Sequence, residues 1–234
     1  MHELWSSASY DAHLLSLPFA FAPAAMAVVI AYGIVMRGEP VIRAWMLLHF
    51  ISLMPYSIVM MLSPSVTSPA AAEALLRVAA AFIPLAAAAG LGFQLRLVGV
   101  RTHLVWVGVA VAVGWVIAGA LTNAAVDGVY SLPAGFWYAD HGPYAWLALV
   151  TTVAIATPGF FLLVRAALFD PPSHERRQLR SLLAANVVTY TGLVDVALAW
   201  HVGTFPLGWL LSGAGSVLVV RALVYEDLLR VRAV

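Results

Sequence analysis

Long apolar stretches separated by short polar ones dominate the chain. Each apolar stretch is close to the roughly 20 residues that cross the hydrocarbon core of a bilayer as a helix. The pattern therefore predicts an all-α, polytopic membrane protein: one domain, residues 1–234, built as a bundle of seven transmembrane helices. The predicted spans lie at about 16–36, 42–63, 71–97, 104–122, 143–168, 181–200 and 206–228.

The segment from Thr122 to Trp146 is longer and more aromatic than most other connections between these spans. Its length, with Gly128, Pro133 and Gly135 as turn residues, indicates a structured loop folded back over the bundle, as a lid over a pocket would be. A second interpretation stays open, because aromatic side chains are also enriched at membrane interfaces without any ligand. The aromatic residues are Tyr130, Phe136, Trp137, Tyr138, Tyr144 and Trp146.

Composition supports a membrane protein and removes several kinds of chemistry. The chain is 63% hydrophobic and 10% charged, whereas soluble domains are about 45–50% apolar and about 25% charged. It has no cysteine, which excludes disulfides and thiolate chemistry. All twelve basic residues are arginines, so a retinal Schiff base, which needs a lysine amine, is excluded too. The acidic N-terminus is unlike a signal peptide, and we expect the first apolar run to be kept as a span.

The arginines predict the orientation of the bundle. With the N-terminus outside, eleven of the twelve lie at cytoplasmic edges and Arg77 alone lies on the outer side. Arginine near the ends of short loops favours the cytoplasm. The sequence therefore predicts an outer N-terminus, a cytoplasmic C-terminus and an odd number of spans, which places the loop 122–146 outside the cell.

A few polar residues lie at predicted membrane depth. They are candidates for function because placing a polar side chain inside the bilayer costs free energy. Asp195, in the sixth span, is interpreted either as a ligand-binding or proton-linked carboxylate or as a structural hydrogen-bond acceptor. Asn186 and Tyr190 are four residues apart on one helix face and favour hydrogen bonds between helices. His49 has no second histidine at matching depth, so we favour a packed side chain over a haem or metal ligand.

The candidate ligand-binding residues are therefore those of the outer loop, together with the intramembrane carboxylate. Glu73 and Arg77 are spaced as an i,i+4 ion pair, and Arg77 is also a candidate anion contact at the outer mouth. We find no nucleophile with its base, no metal-ligand spacing, no phosphate-binding loop and no nucleic-acid motif, so we expect neither an enzyme nor a cofactor. The candidates are Trp137, Tyr138, Asp140, His141, Tyr144 and Asp195.

The second half of the chain resembles the N-terminal seven-transmembrane sensor region of bacterial histidine kinases and diguanylate cyclases. The resemblance covers about residues 120–232 and rests on motifs around the fourth to seventh spans. These are Asn123 after the fourth span, the aromatic residues Phe136, Trp137 and Tyr138, Gly142 and Pro143 before the fifth span, ERRQLR before the sixth, and FPLGWLL and VYEDLLRVR around the seventh. The first four spans share only their hydropathy with this family.

This resemblance implies a sensor module in the bacterial cytoplasmic (inner) membrane. Such a module would bind a small apolar or amphipathic molecule under the outer loop and pass a helix movement through the seventh span. The implied partners are the lipid bilayer, the lipophilic ligand, and a membrane or cytoplasmic signalling protein reached through the C-terminal helix; no nucleic acid is implied. The 234 residues contain no phosphoacceptor helix, ATP site or cyclase domain, so we expect either a stand-alone member or an input module without its output domain.

Two other functions remain open. Small-residue runs at 86–92 (AAAAGLG) and 212–216 (SGAGS) would allow close helix contact in an accessory subunit of a larger membrane complex. A small proton-linked transporter using Asp195 is the third hypothesis, although the sequence lacks the paired, interrupted short spans typical of inverted-repeat carriers.

Overall fold

The protein is mainly α-helical, with one small β-hairpin. The computed structural model describes residues 10–11, 16–35, 38–132, 135–169, 174–192, 195, 198, 201 and 205–225. In chain order the helices are α1 (Ser16–Phe19), α2 (Phe21–Val35), α3 (Pro40–Leu62), α4 (Pro69–Leu97), α5 (Leu104–Leu121), α6 (Ala145–Phe169), α7 (His174–Thr191) and α8 (Gly208–Tyr225). Strands β1 (Val126–Ser131) and β2 (Trp137–His141) lie between α5 and α6.

Five helical units in the described part of the chain are long and apolar enough to cross a membrane. They are Ser16–Val35, which combines α1 and α2, Pro40–Ser65, Pro69–Leu97, Leu104–Leu121 and Ala145–Phe169. Helix α8 is apolar over the shorter range Gly208–Val224. Helix α7 begins with the polar sequence HERRQLR. The fold is therefore that of a helical membrane protein.

The first helical unit is interrupted at Ala20, between α1 and α2. Pro23 has no N–H, so it cannot bond to the carbonyl of Phe19 as a helix would require. The chain continues because Ala24 donates its N–H to the carbonyl of Ala20 at 3.0 Å. Among the prolines of the predicted spans, Pro55, Pro84 and Pro158 lie inside α3, α4 and α6 without ending them.

With α1 and α2 counted as one unit, successive helices alternate in direction, and α4 lies in the middle of the bundle. Helix α4 packs against α3, α5 and α6, while α8 packs against α2 and α7. One end of the bundle, which we call the hairpin end, holds the hairpin, the starts of α1, α4, α6 and α8, and the ends of α3 and α5. Small residues allow close contacts in the core: a Cβ on Gly92 would lie 2.5 Å from the Trp45 ring.

At the opposite end, two arginines of α7 bind the C-terminus of α6. The Nε atoms of Arg176 and Arg180 donate to the carbonyl oxygen of Ala167 at 3.1 and 3.0 Å. The last carbonyls of a helix have no partners within it and carry partial negative charge, which cations stabilise. These two arginines are among those that predict the orientation of the bundle, and they also join α6 to α7.

The sixth predicted span differs from the observed helix. The prediction placed a helix over 181–200, whereas α7 ends at Thr191. The described residues after it, Gly192, Asp195 and Leu198, lie in 3-10 turns. A Cβ on Gly192 would lie 3.2 Å from the carbonyl oxygen of Gly208, so the chain here runs against the start of α8. The end of the seventh predicted span, from 226 to about 228, lies outside the described residues.

Candidate functional site

The loop between α5 and α6 folds as an antiparallel hairpin. Tyr130 pairs with Tyr138 and Val126 with His141, with an irregularity between Val126 and Val129. At the tip, the N–H of Gly135 donates to the carbonyl of Leu132 at 2.9 Å. Gly135 has a φ of +82°, a left-handed conformation that glycine adopts without strain.

The hairpin is anchored to the ends of the helices by aromatic side chains. Phe136 is 0% exposed, and its ring centroid lies 4.7 Å from that of Phe19 and 5.4 Å from that of Phe205. The indole Nε1 of Trp137 donates to the carbonyl of Val66 at 2.7 Å, and Ser63 Oγ donates to the carbonyl of Trp137 at 2.8 Å. The aromatic loop is thus packed onto the bundle as an ordered cover.

Asp195 holds the start of α8. Its two carboxylate oxygens accept hydrogen bonds from the backbone N–H groups of Leu207 and Gly208, each at 2.7 Å. The first N–H groups of a helix lack intrahelical partners, and a carboxylate at this end also interacts favourably with the helix dipole. The residue is 4% exposed. The carboxylate is therefore a hydrogen-bond acceptor for the start of α8.

Three tyrosines connect the hairpin and α3 to the segment before α8. Tyr56 of α3 donates to Asp195 Oδ2 at 3.4 Å, and Tyr138 of β2 donates to the Asp195 carbonyl at 2.8 Å. Tyr130 of β1 donates to the carbonyl of Leu198. Burial, and secondarily the charge of Asp195, raises the pKa of Tyr138 well above the usual value for tyrosine, so this hydroxyl remains a donor at physiological pH.

A cavity of about 160 Å³ lies beneath the hairpin, between α3, α4 and α6. Its volume is close to that of an engineered apolar cavity, about 150 Å³, that binds benzene. Most of its wall is alanine and aliphatic side chain. The lining residues are Tyr56, Leu76, Ala79, Ala80, Ile83, Pro84, Ala125, Val126, Tyr138, Ala139, His141, Ala145, Ala148, Leu149 and Thr152.

The hydroxyl groups in this wall already donate to other protein atoms. Tyr56 and Tyr138 donate to Asp195, as described above, and Thr152 Oγ1 donates to the carbonyl of Ala148 at 2.8 Å. A molecule in the cavity would therefore contact an apolar surface and hydroxyl groups that already donate hydrogen bonds to the protein.

The candidate ligand-binding residues predicted from the sequence lie in different places in the structure. Tyr138 and His141 line the cavity. Asp195 lies behind the Tyr56 and Tyr138 hydroxyls rather than in the wall. Trp137 fastens the hairpin to the chain before α4, and Tyr144 is 55% exposed; neither is among the lining residues.

Asp140 lies on the outer face of the hairpin. Its Oδ1 is 3.6 Å from His141 Nδ1 and 3.4 Å from His201 Nε2. The His201 ring also stacks on Tyr130, with 4.2 Å between ring centroids. This group joins the hairpin to the chain between α7 and α8 but does not form the cavity wall, apart from His141.

Arg77 pairs with Glu73 on the surface of α4, as the i,i+4 spacing predicted. Its Nε is buried and has no hydrogen-bond partner among the described residues. Arg77 does not line the cavity, so the candidate anion contact is separate from the apolar site.

Several wall residues were not singled out as site residues from the sequence. Tyr56, Ala80, Pro84 and Ala148 are ordinary residues of apolar helices, and no local pattern distinguishes them from lipid-facing positions. The wall arises where α3, α4 and α6 meet below the hairpin. In the sequence, the length of the loop between α5 and α6 indicates a cover over the bundle. It does not show which residues lie beneath that cover.

A second group of polar residues lies in the core below this site. Gln94 Nε2 donates to Asn186 Oδ1 at 3.2 Å and to the Tyr190 hydroxyl at 3.3 Å. The Nδ1 of His49 donates to the carbonyl of Ala86 at 2.7 Å. These residues border a cavity of about 20 Å³, enough for one water molecule. Asn186 and Tyr190 thus join α7 to α4, and His49 is a packed core histidine.

In the part of the chain that the structure describes, no group of three or more histidine, aspartate or glutamate side chains is arranged to bind a metal ion. Comparison of the chain with protein-family models, curated proteins and solved structures finds no match.

Proposed function

We propose that this protein is a membrane-embedded sensor, a non-enzymatic module that binds a small apolar or amphipathic molecule beneath the hairpin and relays binding through α8. The cavity of about 160 Å³ between the hairpin and α3, α4 and α6 carries this proposal. It has the features typical of small-ligand sites: a concave, mostly apolar wall with a few polar groups, placed between helices under a structured cover.

Contacts around Asp195 support the relay. Tyr56 and Tyr138 contribute to the cavity wall, and the same two hydroxyls bind Asp195, which in turn binds the first N–H groups of α8. A ligand that displaces either tyrosine changes the contacts of Asp195 and so the position or stability of the α8 start. A ligand shifts such an equilibrium only by its difference in affinity between the two arrangements, and the tyrosine contacts supply that difference.

Orientation and resemblance support the same function. With the arginine-rich end in the cytoplasm, seven spans place the hairpin outside and α8 running inward. The resemblance to the sensor regions of bacterial histidine kinases and diguanylate cyclases agrees with an outer ligand site in the inner membrane. The signal would leave through the C-terminal helix to a cytoplasmic or membrane partner.

The small-residue runs that favoured an accessory subunit make contacts within the chain. A Cβ on Gly90 would lie 3.0 Å from the His49 ring, and one on Gly213 would lie 2.5 Å from Phe21. These glycines therefore take part in the packing of the bundle itself. Asp195, the residue invoked for a transporter, has both oxygens bound to α8.

Filling the cavity tests the proposal. Ala148 lies in the wall, whereas Ala154 lies on the exposed face of the same helix. We expect toluene to raise the thermal unfolding temperature of the detergent-solubilised protein and of Ala154→Leu. Ala148→Leu should lose this stabilisation because its side chain occupies part of the cavity. At a concentration 100 times the Kd, a ligand specific for the native state contributes about 2.7 kcal/mol.

Nonspecific partition of toluene into detergent affects both variants equally, so the difference between them reports binding in the cavity. Equal stabilisation of Ala148→Leu and Ala154→Leu, or none in the wild-type protein, would remove the basis of the proposed site.

A further inference from the structure

The cavity wall contains a backbone group that the helix itself leaves without its normal partner. Ala80 and Pro84, four residues apart in α4, both line the cavity. In an α-helix the carbonyl of residue 80 accepts the N–H of residue 84, but proline has no N–H. The Ala80 carbonyl oxygen therefore lacks its helical donor at the place where α4 borders the cavity.

A carbonyl oxygen without a hydrogen-bond donor is energetically costly in an apolar environment. Membrane helices tolerate internal prolines because hydroxyl side chains, water or neighbouring helices satisfy the freed carbonyl. The hydroxyls in this wall are directed elsewhere: Tyr56 and Tyr138 donate to Asp195, and Thr152 donates within α6. None of these three hydroxyls donates to the Ala80 carbonyl.

We propose that the ligand of this cavity is a small molecule with an apolar body and one hydrogen-bond donor, a hydroxyl or an N–H, that donates to the Ala80 carbonyl oxygen. This inference rests on the proposed ligand site and names the chemical class that the site selects. Leu76, Ile83 and Leu149 supply apolar wall for the body of the molecule. A single-ring phenol has the corresponding size and chemistry.

Restoring the missing N–H tests the inference. In Pro84→Ala, the new N–H bonds to the Ala80 carbonyl within the helix and removes the acceptor from the cavity. The matched control is Pro158→Ala, which changes an internal proline of α6 outside the cavity wall. The probes are phenol and toluene, which have nearly the same shape and differ in the donor. Affinities are measured by thermal stabilisation of the detergent-solubilised full chain.

We expect Pro84→Ala to weaken phenol binding by about three- to tenfold relative to toluene binding, the net contribution of one hydrogen bond. Loss of the Pro84 ring from the wall changes the shape of the cavity for both probes alike. Pro158→Ala should change the binding of neither probe. If Pro84→Ala alters the binding of phenol and toluene equally, or alters neither, the donor inference is overturned while the ligand site stands. If neither probe binds the wild-type protein at all, the proposed function fails together with the inference.

A measurement on the wild-type protein keeps the inference testable should Pro84→Ala not fold. In a purely apolar cavity, the affinity of each probe follows its free energy of transfer from water to a hydrocarbon solvent. We expect phenol to bind the wild-type protein several-fold more tightly than its free energy of transfer from water to hydrocarbon predicts. The measured affinity for toluene calibrates this prediction. A phenol affinity no higher than the value that this transfer free energy predicts would contradict the proposed hydrogen bond to the Ala80 carbonyl.

Discussion

Asp195 shows how much a single buried side chain contributes to this end of the bundle. Because its two oxygens accept separate backbone N–H groups of Leu207 and Gly208, it satisfies two donors that α8 cannot satisfy itself. Tyr56 and Tyr138 then connect the same residue to α3 and to the hairpin. One carboxylate therefore joins three parts of the chain.

Asp195→Asn is expected to destabilise the protein by about 1–3 kcal/mol. An amide has one acceptor oxygen, and its NH₂ group would face a backbone N–H, which leaves one buried donor unsatisfied. The free energy of unfolding, measured by denaturant titration in mixed micelles, gives the loss. Asp127→Asn is the control, since Asp127 is exposed and should change stability by less than about 0.5 kcal/mol. Equal stability of the two variants would contradict the role given to Asp195.

Part of this site is predictable from the sequence. Asp195 is a candidate because a carboxylate in an apolar stretch is costly, and Tyr138 and His141 are candidates because they lie in the aromatic loop. The role of Tyr56 is not predictable, because a tyrosine in an apolar helix carries no local sign of what it faces. The bonds from Asp195 to residues 207 and 208 require the chain to turn back on itself, which no helical period predicts.

At the scale of the element, the hairpin is attached mainly through its own aromatic side chains. Phe136 is fully buried at the tip, between Phe19 and Phe205. Trp137 and Ser63 add two hydrogen bonds between the hairpin and the helix ends. The side chains of the hairpin itself therefore hold it over the cavity.

Phe136→Ala should release this attachment. Truncating a fully buried phenylalanine typically costs about 3–5 kcal/mol. We expect protease cleavage within the hairpin to accelerate and toluene stabilisation to weaken, since the cover of the cavity is no longer held. Phe169→Ala, at a position 78% exposed at the opposite end, should alter neither readout. A protease-resistant Phe136→Ala hairpin would show that other contacts hold it.

The helices followed from the sequence more closely than the strands did. Apolar runs of this length require helices in a bilayer because every backbone group must be bonded internally, and most observed helix ends lie within a few residues of the predicted ones. The strands depend on pairing between residues on either side of a turn, such as Tyr130 with Tyr138. The end of α7 was missed because the apolar character continues past Gly192.

At the scale of the whole molecule, the alternating helices place the hairpin and most arginines at opposite ends. The orientation remains a prediction from the arginines, and the cysteine-free chain allows a direct test. Ser131 lies on the exposed hairpin and His103 in the turn before α5, at the opposite end. Ser131→Cys should react with an impermeant thiol reagent applied to the outer side of an intact membrane, whereas His103→Cys should react only after permeabilisation. The reverse pattern would invert the topology.

The tyrosines of the hairpin bind main-chain oxygens, and this has a consequence for how the protein can diverge. Tyr130 and Tyr138 donate to the carbonyls of Leu198 and Asp195, not to their side chains. A carbonyl is present whatever amino acid occupies the position, so substitution at 198 need not be matched by a change at 130. Covariation between these two positions should therefore be weak among relatives, although the residues are in direct contact. Contact maps inferred from covariation would then underestimate how firmly the hairpin is joined to the bundle.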